Sequence, residues 1–221
     1  MLLTAAARRL LETTGWVSVD GIDNSADAQL IANTLGRSTQ DTSRITPKPR
    51  GRKGPRSFSY RHGYGQFPMH TDTAFWPIPA RFILLTSATE SEVPTLLLPT
   101  DALASVLSEL KPERAIFALN TASGFVYQGF NLDGRPGTAR LDQCYMQPVN
   151  SSAHELINRL SFPAKELIAE HRWTGKNVLI IDNWRCLHGR AEVTRPQERR
   201  SLTRFYVCED EHELEQRRTM E

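Results

Sequence analysis

The sequence lacks any run of about 20 apolar residues, so no membrane-spanning helix is predicted. Charge of one sign is also scarce: the formal net charge at pH 7 is +2, which does not favour a nucleic-acid partner. Cysteines are few, because Cys144, Cys186 and Cys208 are the three present, at unpatterned spacings. An odd number of cysteines argues against a disulfide framework and favours a reducing, cytoplasmic compartment.

The composition is that of a globular protein. Hydrophobic residues make up 39% of the 221 residues and charged residues 24%, and we expect one domain over residues 1–221. Residues 1–15 contain arginines and almost no acids, which is also typical of a transit peptide. However, Leu3, Leu10 and Leu11 recur at helical spacing together with Ala6 and Ala7, which favours a plain amphipathic helix.

Short apolar runs dominate the middle and the end of the chain. They predict strands at 16–19, 81–88, 95–98, 115–119, 124–130, 139–146, 176–182 and 201–208, with strand-like composition from Phe58 onward and a turn at 131–137. Helices are predicted at 25–35, with Ser25 as the N-cap, and at 101–110. A third helix is predicted to follow a capping box of Ser152 and Glu155, and a fourth to run from Pro163 to about Arg172. A charged tail follows from residue 209. The pattern indicates a mainly β domain with peripheral helices, of sandwich or jelly-roll type.

A basic segment at residues 37–57 interrupts this pattern. It is polar, rich in proline and glycine, and carries six lysines or arginines between Arg44 and Arg56. We predict a mobile surface loop. Two interpretations stay open: a solvated loop with no role, or a lid over an active site. A nucleic-acid interface is a weaker hypothesis, since aromatic residues do not interleave with the charges.

A His-x-Asp pattern at His70 and Asp72 can bring two ligands to one metal ion, because residues two apart on a strand share a face. His188, just after the predicted strand at 176–182, is the best candidate for a third ligand. Two imidazoles and one carboxylate form the facial triad of non-heme iron(II) oxygenases, which leaves coordination positions open. A zinc hydrolase could use the same ligands, but the sequence offers it no obvious general base.

Two arginines follow His188 at a regular spacing. Arg200 and Arg204 are four residues apart in or beside a predicted strand, so their side chains are expected on one face. Guanidinium groups suit bidentate binding of a carboxylate. The hydrolase interpretation leaves this pair unexplained, whereas a site for both a metal ion and a dicarboxylate requires it.

Four segments in this order (MHTDTAF, ESEVPTLLLP, VLIIDNWRCLHGR and RRSLTR) resemble the taurine dioxygenase and clavaminate synthase-like superfamily, over about residues 63–207. The resemblance implies a double-stranded β-helix (a cupin-like jelly roll), iron(II) held by His70, Asp72 and His188, and 2-oxoglutarate as cosubstrate. It assigns Thr95 and Arg200 to the distal carboxylate of 2-oxoglutarate. Arg204 would bind an anionic group of the substrate, although the two arginines could exchange roles. The family's usual Gly-Gly-Asp before the threonine is replaced here by Glu92, Val93 and Pro94.

The activity implied by the resemblance is oxidation of a C–H bond with dioxygen, releasing succinate and CO2. Halogenases of the superfamily carry a small residue at the position of Asp72, so its carboxylate favours oxygenation, most simply hydroxylation, without excluding desaturation or cyclisation. The substrate is expected to be a small anionic molecule such as an amino acid or a derivative. The alternative is a catalytically inactive, cupin-like metal-binding protein that keeps the fold. No oligomeric state is predicted.

Several residues near the ligands are candidates for contact with the substrate. Aromatic and polar side chains this dense around a metal can line a cavity, and the set consists of Tyr64, Phe67, Thr73, Phe75, Trp76 and Arg190. The alternatives are core packing for the aromatics and an ordinary salt bridge for Arg190. The remaining polar residues receive structural interpretations: Asp182 and Asn183 shape a turn, while His154 and His171 lie on exposed helix surfaces. Trp173 and Trp184 are expected in the core.

Overall fold

The computed structural model describes residues 3–22, 25–52, 54–121, 124–195 and 200–208, so the predicted tail lies outside the described residues. The helices are α1 (Ala5–Thr14), α2 (Ser25–Leu35), α3 (Phe58–His62), α4 (Thr100–Ser108) and α5 (Ser151–Leu160). The first six strands are β1 (Trp16–Asp20), β2 (Arg37–Ile45), β3 (Phe67–His70), β4 (Phe82–Ser87), β5 (Glu90–Leu98) and β6 (Ile116–Thr121). The others are β7 (Gly124–Gly129), β8 (Met146–Pro148), β9 (Ala169–Thr174), β10 (Asn177–Asp182), β11 (Leu187–Arg190) and β12 (Leu202–Cys208). Among these helices, none is long and apolar enough to cross a bilayer.

Two antiparallel sheets face each other and enclose the interior of the molecule. The larger sheet has the order β1-β10-β4-β12-β2 and the smaller one β3-β11-β5-β9, while β7-β6-β8 form a third sheet. The interior cluster draws from both large layers, with Leu97 and Trp173 from the smaller sheet and Ile83, Leu179 and Tyr206 from the larger. The predicted mainly β, jelly-roll fold with peripheral helices is confirmed.

Helices cover the outer faces of both sheets. Leu11 of α1 and Ile31 of α2 pack with Leu84 and Ile180 on the outside of the larger sheet. Helices α4 and α5 pack in the same way, in a second cluster that includes Leu96 and Leu98 of the smaller sheet. Because β10 is covered on both faces, all six of its residues are buried, which explains its continuous apolar run.

The predicted helix at 25–35 matches α2, and β1, β4, β10 and β12 lie where strands were predicted. The apolar face of the first helix was partly misassigned. Leu3 and Leu11 are buried, whereas Leu10 is 46% exposed and Ala6 is also exposed.

The predicted loop at 37–57 was wrong in its first part, because residues 37–45 form strand β2. This strand pairs with β12 at the edge of the larger sheet, from Arg37 opposite Cys208 to Ile45 opposite Leu202. Its stability comes from backbone hydrogen bonds to a buried neighbour, so a polar sequence is tolerated and the apolar alternation that marks a strand is missing. Likewise, the strand-like composition from Phe58 was misleading, because residues 58–62 form α3.

The predicted helix from Pro163 to Arg172 was also wrong. A short 3₁₀ turn at Lys165–Leu167 leads into β9, which pairs with β5 and alternates between exposed and buried residues. The strand predicted at 139–146 is instead mostly a buried turn, and strand β8 begins at Met146. Its backbone groups bond to surrounding loops: the Ala139 amide donates to Trp184 and the Thr71 amide donates to Leu141.

Two predicted helix caps were misplaced. Asn150, and not Ser152, caps α5, because its side-chain oxygen accepts a hydrogen bond from the Ala153 amide at 3.0 Å. Ser25 is the first residue within α2 and therefore does not cap it. The cap of α5 thus lies two residues before the predicted one, where the backbone is still extended.

Candidate active site

Three potential metal ligands meet at one end of the smaller sheet. His70 is the last residue of β3, and His188 lies directly opposite it on β11. Asp72 follows β3 by two residues. Its Oδ1 is 3.5 Å from the Nε2 of His70 and 3.8 Å from the Nε2 of His188. Because one donor atom from each residue lies within 4.8 Å of the others, the three side chains can converge on a single ion.

Hydrogen bonds orient two of these ligands. The Nδ1 of His70 lies 2.9 Å from the carbonyl oxygen of Pro68, so this nitrogen carries the proton and Nε2 is available to a metal. Asn183 holds the backbone of Asp72 from both sides: its Oδ1 accepts from the Asp72 amide at 2.9 Å, and its Nδ2 donates to the Asp72 carbonyl at 3.0 Å. Asp182 instead pairs with Arg81 at 2.8 Å, so the predicted structural role of Asp182 and Asn183 agrees with these contacts.

The turn after Asp72 is strained and pinned. Thr73 has a φ of 58°, a left-handed conformation that a β-branched residue rarely adopts. Its hydroxyl donates to the Asp72 carbonyl at 2.6 Å and accepts from the Ala80 amide at 2.9 Å. These bonds stabilise the turn, which directs the Asp72 carboxylate back toward the two histidines.

The electrostatics of the cluster favour an ionised carboxylate. Burial alone would raise the pKa of Asp72, but the Arg204 guanidinium and, after it, the neighbouring His188 and His70 hold it well below its usual value. Burial and the neighbouring His70 lower the pKa of His188. For His70, burial works against protonation, yet the adjacent Asp72 raises its pKa. The cluster thus offers a carboxylate and two imidazoles, the donor set that suits iron(II).

The two arginines lie on the side of the same cavity that is formed by the larger sheet. Arg200 is buried just before β12, and its guanidinium donates to Thr95 Oγ1 at 3.0 Å and to the Val93 carbonyl at 3.2 Å. Arg204, on β12, donates to Asp72 Oδ2 at 2.8 Å and lies 4.6 Å from the ring centre of Tyr206. Arg200 is therefore joined to Thr95, whereas Arg204 contacts Asp72, one of the potential metal ligands.

A cavity of about 330 Å³ connects these groups. The three potential ligands, Thr95, Arg200 and Arg204 line it, as do Phe67, Thr73, Phe75 and Arg190 of the predicted substrate set. Trp76 instead packs in the interior cluster against Tyr206, and Tyr64 is not among the lining residues; its carbonyl accepts from the Val193 amide. The predicted basic loop contributes residues 45–47 and 56–57 to the wall, and its mobility stays a prediction.

The alternative interpretation of Arg190, an ordinary salt bridge, does not match its contacts in the described part of the chain. Its side chain is buried, it donates to the Gly63 carbonyl at 2.7 Å, and its guanidinium carbon lies 3.7 Å from the centre of the Phe67 ring. Burial lowers the pKa of Arg190 to about 10. Arg190 thus fixes the segment that leads into β3.

Asp142 is a residue of this cavity that the sequence pattern did not reveal. It lies on the cavity wall, is 6% exposed, and burial raises the pKa of its carboxyl group to about 6. One of its oxygens accepts a hydrogen bond from the Cys144 amide at 2.7 Å. Tyr145, three residues on, stacks with Phe75 at 4.2 Å beside it. Asp142 was missed because it sits in the turn that was predicted as a strand, far along the chain from the ligands.

The predicted exposure of His171 was wrong, because it is buried on β9, whereas His154 is exposed on α5 as predicted. Trp173 and Trp184 are both buried, as expected.

A model of the taurine catabolism dioxygenase TauD, TfdA family matches residues 130–206, which include His188, Arg200 and Arg204. No curated relative matches the sequence. The fold is similar to that of an asparagine oxygenase solved with Fe(II), 2S,3S-3-hydroxyasparagine and succinate, with a TM-score of 0.69 and 19% identity over 92% of this chain and 77% of the other. It is also similar to the non-heme iron oxygenase OrfP in complex with Fe, succinate and (3S)-hydroxy-L-Arg, with a TM-score of 0.65 and 18% identity over 98% of this chain and 82% of the other. These similarities confirm the predicted resemblance and the cupin-like fold.

Proposed function

We propose that this chain, which resembles the TauD, TfdA family over residues 130–206, is an iron(II)- and 2-oxoglutarate-dependent dioxygenase. The observation that carries the proposal is one cavity that joins a potential two-histidine, one-carboxylate metal site to the buried Thr95–Arg200 pair. The reaction couples oxidation of 2-oxoglutarate to succinate and CO2 with hydroxylation of a C–H bond in a small substrate.

The metal site is assigned to His70, Asp72 and His188. Their donor atoms converge, and the bonded Nδ1 of His70 leaves its Nε2 for the metal. Iron(II) bound there would supply the dioxygen chemistry, while the protein supplies position and shielding. Since Asp72 presents a carboxylate to the site, an oxygenase is favoured over a halogenase.

The cosubstrate site is assigned to Thr95 and Arg200. A guanidinium and a hydroxyl that already hydrogen-bond at 3.0 Å present a compact set of donors for a carboxylate. Arg204 lies nearer the metal ligands, against Asp72, and is assigned to an anionic group of the substrate. Of the two arrangements that the spacing leaves open, these contacts favour the one in which Arg200 binds 2-oxoglutarate and Arg204 binds the substrate.

The substrate is assigned to the amino acids or their derivatives. Arg204 brings a positive charge to the cavity and Asp142 brings an acidic group, so the cavity complements a molecule with both a carboxylate and an amino group. The asparagine oxygenase and OrfP structures contain hydroxylated amino acids, which supports the same class. Phe67, Thr73, Phe75 and Arg190 remain candidates for contact with the substrate because they line the cavity.

We assign the whole of residues 1–221 to this one domain. A reducing compartment such as the cytoplasm suits the protein, since Cys144, Cys186 and Cys208 are buried and form no disulfide.

The test has two stages. Anaerobic addition of Fe(II) and then 2-oxoglutarate is expected to give a weak visible metal-to-ligand charge-transfer band, which His70→Ala abolishes. Arg200→Ala is expected to keep the band but to require about tenfold or more 2-oxoglutarate, because a charged hydrogen-bonding partner is lost. In the second stage, succinate formation is followed with a panel of free amino acids, their decarboxylated amines and simple carboxylic acids.

The outcomes separate the alternatives. A folded wild-type protein that binds Fe(II) but shows no band with 2-oxoglutarate would support the inactive, cupin-like metal-binding protein. A band together with succinate formation stimulated by amines alone would keep the dioxygenase and reject the amino-acid substrate.

A further inference from the structure

His171 lies on the inner face of β9, next to the site proposed for the cosubstrate. It is paired directly with Thr95 of β5 in the antiparallel ladder, so the two side chains point to the same side of the sheet. The burial pattern identifies that side. Glu170 and Arg172 are exposed, whereas His171 is 4% and Trp173 is 2% exposed. Trp173 belongs to the cluster between the sheets, so His171 faces the interior.

The imidazole of His171 has a polar atom without a protein partner. Its Nε2 is fully buried, and no hydrogen-bond partner for it exists among the described residues. A buried polar atom left in this state destabilises the folded protein unless something else satisfies it. The ring is also held in place, since it meets Trp173 edge-on with ring centres 4.4 Å apart.

The charge state of His171 suits a donor beside an arginine. Burial lowers the pKa of His171 to about 4; the negative charge of Asp20 acts against this and the positive charge of Arg200 adds to it. The imidazole is therefore neutral at neutral pH and does not repel Arg200. A neutral imidazole still carries one N–H group, and Nε2 can be the nitrogen that bears it.

We propose that His171 is a third hydrogen-bond donor to the distal carboxylate of 2-oxoglutarate, beside Thr95 and Arg200. The inference rests on the proposed function, since it requires 2-oxoglutarate at this site. A carboxylate has two oxygens and about four acceptor positions, so one guanidinium and one hydroxyl do not saturate it. His171 is the cross-strand neighbour of Thr95, which itself accepts a hydrogen bond from Arg200. The cosubstrate would then satisfy the buried Nε2.

The experiment compares two ligands that differ in the distal carboxylate. The Fe(II)-loaded protein is titrated anaerobically with 2-oxoglutarate and with 2-oxopentanoate, which has the same keto-acid end and chain length but ends in a methyl group. Binding is measured by calorimetry. His171→Phe keeps a ring against Trp173 without a donor, and His171→Gln keeps a donor. His154→Gln, at the exposed histidine of α5, is the matched control.

His171→Phe is expected to weaken binding of 2-oxoglutarate about tenfold or more, the usual effect of losing a hydrogen bond to a charged group. It should leave binding of 2-oxopentanoate unchanged, and His171→Gln should retain most of the affinity. Unchanged 2-oxoglutarate affinity in His171→Phe, or an equal loss for both ligands, would overturn the inference and leave His171 a packing residue.

Failure of the wild type to bind 2-oxoglutarate and failure of His171→Phe to fold have separate consequences. If wild type binds Fe(II) but not 2-oxoglutarate, the proposed function itself fails, which is distinct from a failure of His171 alone. If thermal melting shows that His171→Phe does not fold, His171→Leu is judged with the same two ligands and by the same criteria.

Discussion

At the scale of single residues, Asn183 shows how a buried side chain outside the proposed metal site can position Asp72, one of the proposed ligands. It is completely buried, and its side chain forms three hydrogen bonds, two with the backbone of Asp72 and one with the Ala80 carbonyl at 2.8 Å. A carboxamide supplies both an acceptor and two donors, which an aspartate could not do in ionised form. Asn183 thus joins the loop of Asp72 to the end of β10.

Asn183→Ala is expected to lower the free energy of unfolding by about 2–3 kcal/mol, because buried backbone groups lose their partners. It should also weaken metal binding by about 10–100-fold, the range typical of residues that orient a ligand. Urea unfolding and calorimetric titration with Mn(II), a stand-in for Fe(II), measure the two effects.

Asn177→Ala is the matched control for this prediction. Asn177 is also buried, but its bonds go to the Arg172 carbonyl and the Thr174 amide, at the other end of β10 from Asp182. The Asn177→Ala protein should be less stable than wild type but should keep the wild-type affinity for the metal ion. Equal metal affinity in Asn183→Ala and wild type would contradict a positioning role.

The convergence of His70, Asp72 and His188 could be predicted from the sequence because His70 and Asp72 are local neighbours and His188 follows a strong apolar strand. Asp142 and His171 could not. Asp142 enters the cavity through a turn whose backbone bonds to distant loops, and His171 depends on the pairing of β9 with β5. Both positions are set by tertiary contacts that no local spacing encodes.

At the scale of secondary-structure elements, the approach of β3 to β11 sets the distance between the two histidines. Gly189 follows His188 on β11, and a Cβ atom added there would lie 2.7 Å from the Phe67 carbonyl oxygen and 3.3 Å from that of Pro68. Both oxygens belong to the backbone of β3, which cannot rotate away as a side chain can. The absence of a side chain at Gly189 therefore permits the close pairing of these strands.

Gly189→Ala is expected to push β3 from β11, costing about 1–3 kcal/mol, as overpacking typically does. Because the shift acts on the strand that carries His70, Mn(II) affinity should fall as well. Gly54→Ala is the control, since a Cβ there meets no atom within 4 Å and its backbone is not left-handed. A Gly189→Ala protein with wild-type stability and metal affinity would show that the strands tolerate the added methyl group.

Strands could be predicted where both of their faces are covered, as in β10. They were missed where hydrogen bonds between backbones, and not an apolar sequence pattern, determine the extended conformation. β2 is polar and β9 has only two fully inward-facing residues, His171 and Trp173, so neither shows an apolar run. The helix predicted from Pro163 to about Arg172 failed because a proline suits the start of a helix locally, whereas pairing with β5 favours the extended conformation of β9.

At the scale of the whole molecule, the proposed metal ion and the proposed cosubstrate contact different sheets. His70 and His188 belong to the smaller sheet, so a metal ion alone would link β3 with β11 and the turn that carries Asp72. Arg200 precedes β12 of the larger sheet, whereas Thr95 is on β5 of the smaller one. A dicarboxylate held between the metal and this pair would therefore connect the two layers of the fold.

Thermal unfolding should reveal this connection. A ligand at 100 times its Kd stabilises the native state by about 2.7 kcal/mol, and for a chain of this size each kcal/mol raises Tm by about 2–4 °C. We therefore expect Mn(II) to raise Tm by about 5–10 °C and 2-oxoglutarate to add a similar increment when Mn(II) is present. Differential scanning calorimetry measures both steps. Arg200→Ala should keep the first increment and lose most of the second, because it leaves the metal ligands in place and removes the link to the larger sheet. If 2-oxoglutarate stabilises Arg200→Ala as much as wild type, the cosubstrate is not held across the two sheets.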